Sequence, residues 1–367
     1  MRRLLFQVHL WLGLLTGLYV AIICVTGAAL VFRIDLQRAL YPHLFTTSAA
    51  GPLADPVAVM ESVSRAYPQH RLSGVDAPTT VRPTYLAYVT SAAEFRTVLI
   101  DPVTTAVLGE LPEHPAIRTL QQLHYNLLGG RTGRTINGIG AVGILILCAT
   151  GLVIFFFSRR APRRAEGTSP TSEASPAAGR RHHRQWRQVH RAIGAWSAAF
   201  ILMSAITALS FVFPDGFRSV VNWLSPVTAM RSPQSGVASG DSTPSWPQML
   251  DHARPFAPGQ PIARVVLPFG ARGAFLVMFA DRSPTPAGSE LTAVYLDQYT
   301  GERLVTSANA RSRGDAVMAR MTPWHVGGVG GQAGRVIWFV FGLAPAVLFV
   351  TGLMTWWRRG RGKTATD

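Results

Sequence analysis

The sequence predicts an α-helical membrane protein. Its architecture is a four-helix transmembrane bundle built by tandem duplication, with two extracytoplasmic α+β domains. Three observations carry this. Of 367 residues, 48% are hydrophobic and only 15% charged, which is apolar and charge-poor for a soluble chain. Four segments of spanning length carry no charge: Leu10–Phe32, Ile136–Phe157, Ala192–Phe213 and Val336–Trp357. About 20 apolar residues cross a bilayer as a helix. Finally, long stretches of the chain occur twice.

The repeat is gapless when counted from a histidine. LHYNLLGGRTGRTINGIGAVGILILCATGLVIFFFSRR (123–160) matches WHVGGVGGQAGRVIWFVFGLAPAVLFVTGLMTWWRR (324–359), so that His124 aligns with His325 and Thr150 with Thr351. Gly129, Gly130, Gly133 and Arg134 align with Gly330, Gly331, Gly334 and Arg335. The first and third helices repeat likewise. His9 precedes Thr26 by 17 residues, His190 precedes Thr207 by 17, and Gly13 aligns with Gly194. Each half is therefore helix, large polar region, helix, and the halves form parallel repeats about an axis along the membrane normal.

Charge sets the orientation. Of 35 basic residues, 34 are Arg, and the formal net charge is +16. Most of this excess lies in the N-terminal Arg2 and Arg3, the segment 159–191, and the C-terminal Arg358, Arg359, Arg361 and Lys363. The positive-inside rule puts these regions in the cytoplasm, making a multi-pass membrane protein with both termini inside. Because topology accounts for the basic excess, no nucleic-acid partner is expected. The N-terminal apolar run is too long for a signal-peptide core and no A-x-A site follows it, so it reads as a retained helix. Cys24 and Cys148 both lie in apolar spans and fit no zinc or CxxC pattern, so they read as small apolar fillers.

The domain boundaries expected from these patterns run in order. Helix 1 covers 1–33, a first extracytoplasmic domain 34–115, and an interfacial segment with helix 2 covers 116–158. An Ala/Pro/Ser/Arg-rich linker at 159–187 reads as disordered. Helix 3 covers 188–214, a second domain 215–320, an interfacial segment with helix 4 covers 321–358, and a tail 359–367. Within the domains, Asp55-Pro56 signals a helix start. Short apolar or alternating runs at 84–89, 95–100, 262–269, 274–280 and 291–296 signal strands. Turns follow at Asp101-Pro102 and at Asp297–Gly301.

VLIDPVTTAVLGE (98–110) and AVYLDQYTGERL (293–304) resemble PepSY domains. The spans with HxxxG and a Thr-Gly step are similar to PepSY-associated transmembrane proteins. The resemblance covers nearly the whole chain outside the linker. It implies two PepSY-like domains and, from the better understood members, a ferric-siderophore reductase carrying two b-type haems. Two departures stand out. Thr105 replaces the glycine of the second turn, implying a different loop, and Thr207-Ala208 replaces Thr-Gly, weakening a packing contact.

Ionisable side chains near membrane helices are rare and functional. His9 and His190 lie at one depth, His124 and His325 at the other, too far apart to share one metal. Two histidines at each depth suit bis-histidine haem, whose porphyrin supplies the other four nitrogens. Zinc would need about two more protein ligands, and no Cys, Asp or Glu recurs beside these histidines. The four histidines are thus expected as axial haem ligands, with Gly13 and Gly194 giving clearance and Arg134 and Arg335 placed for propionates. Those arginines also suit plain interface residues, and the glycines suit helix packing alone. Gly129 to Arg134 either shapes a haem edge or turns the chain. His43, His70, His114, His182, His183 and His252 lack counterparts and read as solvated. Gly138 to Gly143 spells GxGxxG inside a membrane helix, where no dinucleotide fingerprint can function.

Two function classes remain at this point. One is di-haem electron transfer from a quinol or cytoplasmic reductase to a ferric siderophore or other periplasmic acceptor. The other is a cofactor-free, membrane-anchored PepSY protein that binds peptides or regulates proteases. A transporter is disfavoured by the lack of an intramembrane carboxylate.

Overall fold

The computed structural model describes residues 2–47, 51–92, 94–160, 177–228, 233–237, 243–280, 291–307 and 312–361. In chain order these form α1 (Arg2–Leu30), α2 (Arg33–Leu40), α3 (Pro56–Ala66), β1 (Arg71–Asp76), β2 (Tyr85–Thr90), β3 (Phe95–Ile100), β4 (Val107–Glu110), α4 (Pro115–Asn126) and α5 (Gly130–Arg160). Then come α6 (Ala177–Val212), α7 (Pro214–Leu224), α8 (Trp246–Ala253), β5 (Ile262–Val266), β6 (Ala274–Ala280), β7 (Leu291–Asp297), β8 (Arg303–Ser307), α9 (Arg313–Val326) and α10 (Gly331–Arg361). They divide into two compact units. One holds residues 1–31, 115–219 and 321–367; the other holds Phe32–His114 and Val220–Arg320.

In the first unit, four helices are long and apolar enough to cross a membrane: Arg3–Leu30, Gly130–Phe157, Arg184–Val212 and Gly331–Arg358. A helix satisfies its own backbone polar groups, the requirement for any segment surrounded by lipid. The principal contacts run α1 to α5, α5 to α6, α6 to α10 and α10 back to α1. This is a closed ring with α1 diagonal to α6. Close approach is local: a Cβ on Gly342 of α10 would lie 2.9 Å from the Ala28 Cβ on α1. The exact GxGxxG lies within α5, as expected. α6 begins at Ala177, eleven residues before the expected helix start and within the expected linker. Ala, Arg and Gln in that stretch favour helix and no Pro interrupts it. The rest of that linker, 161–176, lies outside the described residues, and of His182 and His183 only the helical backbone is described.

In the second unit, the two expected extracytoplasmic domains are one body. All eight strands form a single antiparallel sheet in the order β4-β3-β2-β1-β5-β6-β7-β8. The halves join where β1 pairs β5, with Gly74 opposite Val266, Val75 opposite Val265 and Asp76 opposite Arg264. Gly74 is required at this seam, because a Cβ there would lie 2.7 Å from the Val265 carbonyl oxygen. One hydrophobic core runs across the seam: Val59, Met60 and Val63 of α3, Met249, Leu250 and Ala253 of α8, and Val75, Val98, Val265, Phe275, Val277 and Val294 of the strands. A four-stranded half would leave β1 or β5 as a bare edge, which pairing removes. Arg264 pairs with Asp76 through two nitrogens, at 2.5 and 2.6 Å.

The two turns are built alike. Asp101 accepts from the amides of Val103 and Thr104, both at 2.9 Å. Asp297 accepts from Tyr299 (2.8 Å), Thr300 (3.1 Å) and Gly236 (2.6 Å). The expected difference at Thr105 is absent: Thr105 has φ 60° and Gly301 φ 69°. The aspartate's bonds fix both turns in the same left-handed conformation, and Thr105 accepts its cost. What differs is the neighbour. The Ser62 hydroxyl donates to the Thr105 carbonyl at 2.7 Å, whereas His252 Nδ1–H donates to the Gly301 carbonyl at 3.0 Å. His252 is therefore exposed but bonded, rather than simply solvated.

A Cβ on Gly301 would fall 2.4 Å from His252 Nδ1. Gly301→Ala is expected to lower unfolding stability by about 1–2 kcal/mol, read as a lower denaturation midpoint of the purified chain, while Thr105→Gly should show no such loss. Burial pulls the Asp297 carboxyl upward, but the hydrogen bonds from Gly236, Tyr299 and Thr300 outweigh it and hold it below the usual aspartate value. Its stabilisation is thus complete above about pH 4 and is lost as pH falls through the lower folded value. Asp297→Asn should flatten that acid limb of a stability–pH profile; an unchanged limb would contradict this account.

Two histidine pairs held by threonines

α1 and α6 stand diagonally in the ring, and His9 and His190 meet across it with ring centroids 6.3 Å apart. His124, near the end of α4, and His325, near the end of α9, meet with centroids 6.1 Å apart. The expected pairing by depth is therefore realised in both cases. His9 and Thr26 are 17 residues apart on α1, about 26 Å at 1.5 Å per residue, and Thr26 lies beside His124. The two pairs cannot share one metal.

Each histidine is held through Nδ1 by a neighbouring helix. His9 Nδ1 lies 3.0 Å from Thr150 Oγ1 on α5. His190 Nδ1 lies 3.0 Å from both Thr351 Oγ1 and the Leu348 carbonyl on α10. His124 Nδ1 lies 2.9 Å from the Ile23 carbonyl and 3.3 Å from Thr26 Oγ1 on α1. His325 Nδ1 lies 2.8 Å from Thr207 Oγ1 on α6. The threonine protons are already committed. Thr26, Thr150, Thr207 and Thr351 donate to the carbonyls of Ile22, Ile146, Met203 and Val347 at 2.9, 2.7, 2.9 and 2.7 Å. Their oxygens can then only accept, so each histidine carries its proton on Nδ1. Nε2 is left as a bare acceptor, and no described residue hydrogen-bonds it. A hydrogen bond to one ring nitrogen orients an imidazole that ligates metal through the other and sets its tautomer.

These threonines were legible in the sequence only as markers of the repeat. The glycine after each is also explained. A Cβ on Gly27 would lie 2.6 Å from His124 Cε1, on Gly151 3.0 Å from His9 Cε1, and on Gly352 3.4 Å from His190 Cε1. The Thr-Gly step is thus an imidazole seat, more than a helix-packing device. In the fourth, Ala208 occupies the glycine's place beside Thr207. Thirteen residues after each outer histidine a side chain grips the helix that bears it. Asn137 Nδ2 donates to the His124 carbonyl at 2.8 Å, and Trp338 Nε1 to the Trp324 carbonyl at 2.6 Å.

Gly13 and Gly194 line a cavity of about 1000 Å³ beside His9 and His190. Its walls are largely apolar, and Arg3, Arg187 and Arg191 also line it. Arg134 and Arg335, expected against propionates, are engaged elsewhere. Arg134 donates to the Phe211 carbonyl near the end of α6. Arg335 donates to the Val31 carbonyl just beyond α1 at 3.0 Å and to Gln332 at 2.8 Å. Both place positive charge at a helix C-terminus, where the macrodipole favours it. The segment Gly129 to Arg134 turns the chain: a Cβ on Gly133 would lie 1.7 Å from the Asn126 carbonyl oxygen, and on Gly334 1.8 Å from that of Val329.

The donor set fits a haem. Metal–imidazole bonds of about 2.0–2.1 Å, with about 1.1 Å from nitrogen to ring centre, put trans imidazole centroids about 6.3 Å apart. The observed separations are 6.3 and 6.1 Å. Among the described residues no cluster of three or more His, Cys, Asp or Glu could hold a metal, so a bare zinc ion would lack ligands that a macrocycle supplies. Burial holds the His124 imidazole below its ordinary pKa and, with the charge of His124 adding, pushes that of His325 down to about 4. Both are then neutral at pH 7, the form that binds metal.

Thr150→Val and Thr351→Val each remove one acceptor, expected to lower stability by about 1 kcal/mol. In ¹⁵N-histidine spectra of cofactor-free protein Thr150→Val should shift His9 away from the Nδ1–H tautomer, and Thr351→Val should shift His190 less, because the Leu348 carbonyl still accepts from its Nδ1–H. Unmoved resonances would show that the threonines do not set it.

A comparison with curated proteins gave no match. The family model for the PepSY-associated TM region matches residues 6–359, and the chain belongs to that family.

Proposed function

We propose that this PepSY-associated membrane protein is a di-haem b electron carrier of the bacterial inner membrane, with both termini cytoplasmic. Electrons enter on the cytoplasmic or quinone side, from a quinol or a soluble reductase. They leave to a periplasmic acceptor, by family resemblance a ferric siderophore whose iron is released on reduction. The observation that carries this reading is the double histidine pair: four imidazoles with Nδ1 occupied, Nε2 bare and centroids at the spacing of trans ligands. A haem bound at each pair would supply reversible one-electron chemistry.

The chain's own residues supply the rest. His9 with His190, and His124 with His325, would hold the two haem irons. Thr26, Thr150, Thr207 and Thr351 fix the tautomer, and Gly27, Gly151 and Gly352 give the rings room. The apolar walls at Gly13 and Gly194 exclude water beside the inner pair, and Arg3, Arg187 and Arg191 supply positive charge to carboxylates there. By family resemblance the two PepSY-like halves would form or flank the docking surface of the periplasmic acceptor.

The alternative is a cofactor-free membrane anchor whose PepSY-like halves bind peptides or regulate a protease. It gives no role to histidines matched at two depths.

Protein purified in detergent from haem-replete cells should show Soret and α bands that shift on dithionite reduction, with about two haems per chain. His9→Ala or His190→Ala should each leave about one, as should His124→Ala or His325→Ala. A colourless preparation would favour the anchor, and loss of both haems or neither in every variant would refute the pairing.

A further inference from the structure

α7 follows α6 after a turn at Phe213, whose amide bonds Leu209 of α6 at 2.9 Å and whose carbonyl accepts from Phe217 of α7 at 2.9 Å. The helix therefore starts where a membrane span ends, at Val212. Its sequence PDGFRSVVNWL is divided cleanly. At 100° per residue Trp223, Val220, Leu224, Phe217 and Val221 occupy one half of the helix, and Asp215, Arg218, Ser219 and Asn222 the other. Only Val221 of the apolar half is buried. Val220 is 60% exposed, Trp223 83% and Leu224 72%, beside Phe213 at 40%. Bare lipid-facing side chains are ordinary along the spans, but this helix is neither long enough nor apolar enough to be one.

We propose that α7 is an interfacial helix whose Val220, Trp223 and Leu224 are seated in the boundary between lipid headgroups and acyl chains. The bilayer is the occupant because α7 begins two residues after a membrane span ends at Val212, joined to it by the exposed, apolar Phe213. The short covalent link holds the helix at the membrane surface. Tryptophan suits that depth, with an apolar ring and an N–H that reaches water or headgroups. Arg218 and Asn222, on the opposite side, face water or protein. Such a helix binds by buried apolar area rather than by spanning. This inference does not rest on the haem reading and survives its failure.

The test uses full-length protein in phosphatidylcholine nanodiscs, with Cys24 and Cys148 replaced by alanine. Nitroxide labels go singly at Val220→Cys, Trp223→Cys and Asn222→Cys, and collision with oxygen and with a nickel chelate is compared. Oxygen should dominate at 220 and 223, with an oxygen-to-nickel ratio several-fold above that at 222. Nickel dominance at both 220 and 223 would overturn the proposal, because the face would then be in water. Exclusion of both reagents with dipolar broadening between labels would also overturn it, in favour of a second copy. Val220→Cys keeps the test open should replacing Trp223 impair folding.

Discussion

Every functional feature of the helical unit depends on one hydrogen bond made four times, from a histidine Nδ1–H into the carbonyl-and-hydroxyl pocket of a threonine turn on an adjacent helix. The bond needs a threonine whose own proton is spent on its helix, a following residue small enough to admit the ring, and a partner helix at the right distance. The bond ties α1 to α5, α6 to α10, α4 to α1 and α9 to α6, so that each histidine's holder lies on a neighbouring helix rather than on its own. In the ring of four helices His9 and His190 meet from the diagonal members α1 and α6, while His124 and His325 meet from α4 and α9, which α1 and α6 hold through Thr26 and Thr207. An unheld imidazole would choose between tautomers and rotate; the bond at Nδ1 opposes both.

What was legible in the sequence was what is written in one dimension. Four uncharged spans, a gapless repeat and the depth of each histidine can all be counted. The pairing of His9 with His190 follows from them. The threonine contacts could not be counted, since Thr150 serves His9 across 141 residues and its spacing marks only the repeat. A signal was nonetheless present: Thr26 sits at the depth of His124, and Thr150 at that of His9. For Arg134 and Arg335 the sequence left two roles open, a carboxylate contact or a helix end, and the structure shows their bonds to the Phe211 and Val31 carbonyls at helix ends. The early start of α6 was hidden by an Arg-rich composition that suits a solvated linker as well as a helix. The single sheet was hidden because its seam joins strands from different halves.

The matched halves also differ in instructive ways. Equivalent positions hold the outer histidine helices with an amide in one half, Asn137, and an indole in the other, Trp338. Thr105 and Gly301 adopt the same backbone at different conformational cost, because the aspartate before each dictates the turn. Ala208 stands where the other three seats have glycine. At these positions the two halves share a backbone feature that different side chains hold. A site of paired histidines on such a frame can have two chemically distinct members without losing its alignment.

The three-residue seam between β1 and β5 has a consequence during synthesis. β1 ends at Asp76 and β5 begins at Ile262, so about 190 residues separate the strands. At about 5–20 residues per second this interval lasts roughly 10–40 s. For that time the nascent first half carries an unpaired central strand, and the chain must cross the membrane twice before its partner is made. An unpaired edge of that kind is a template for pairing with another chain until β5 covers it.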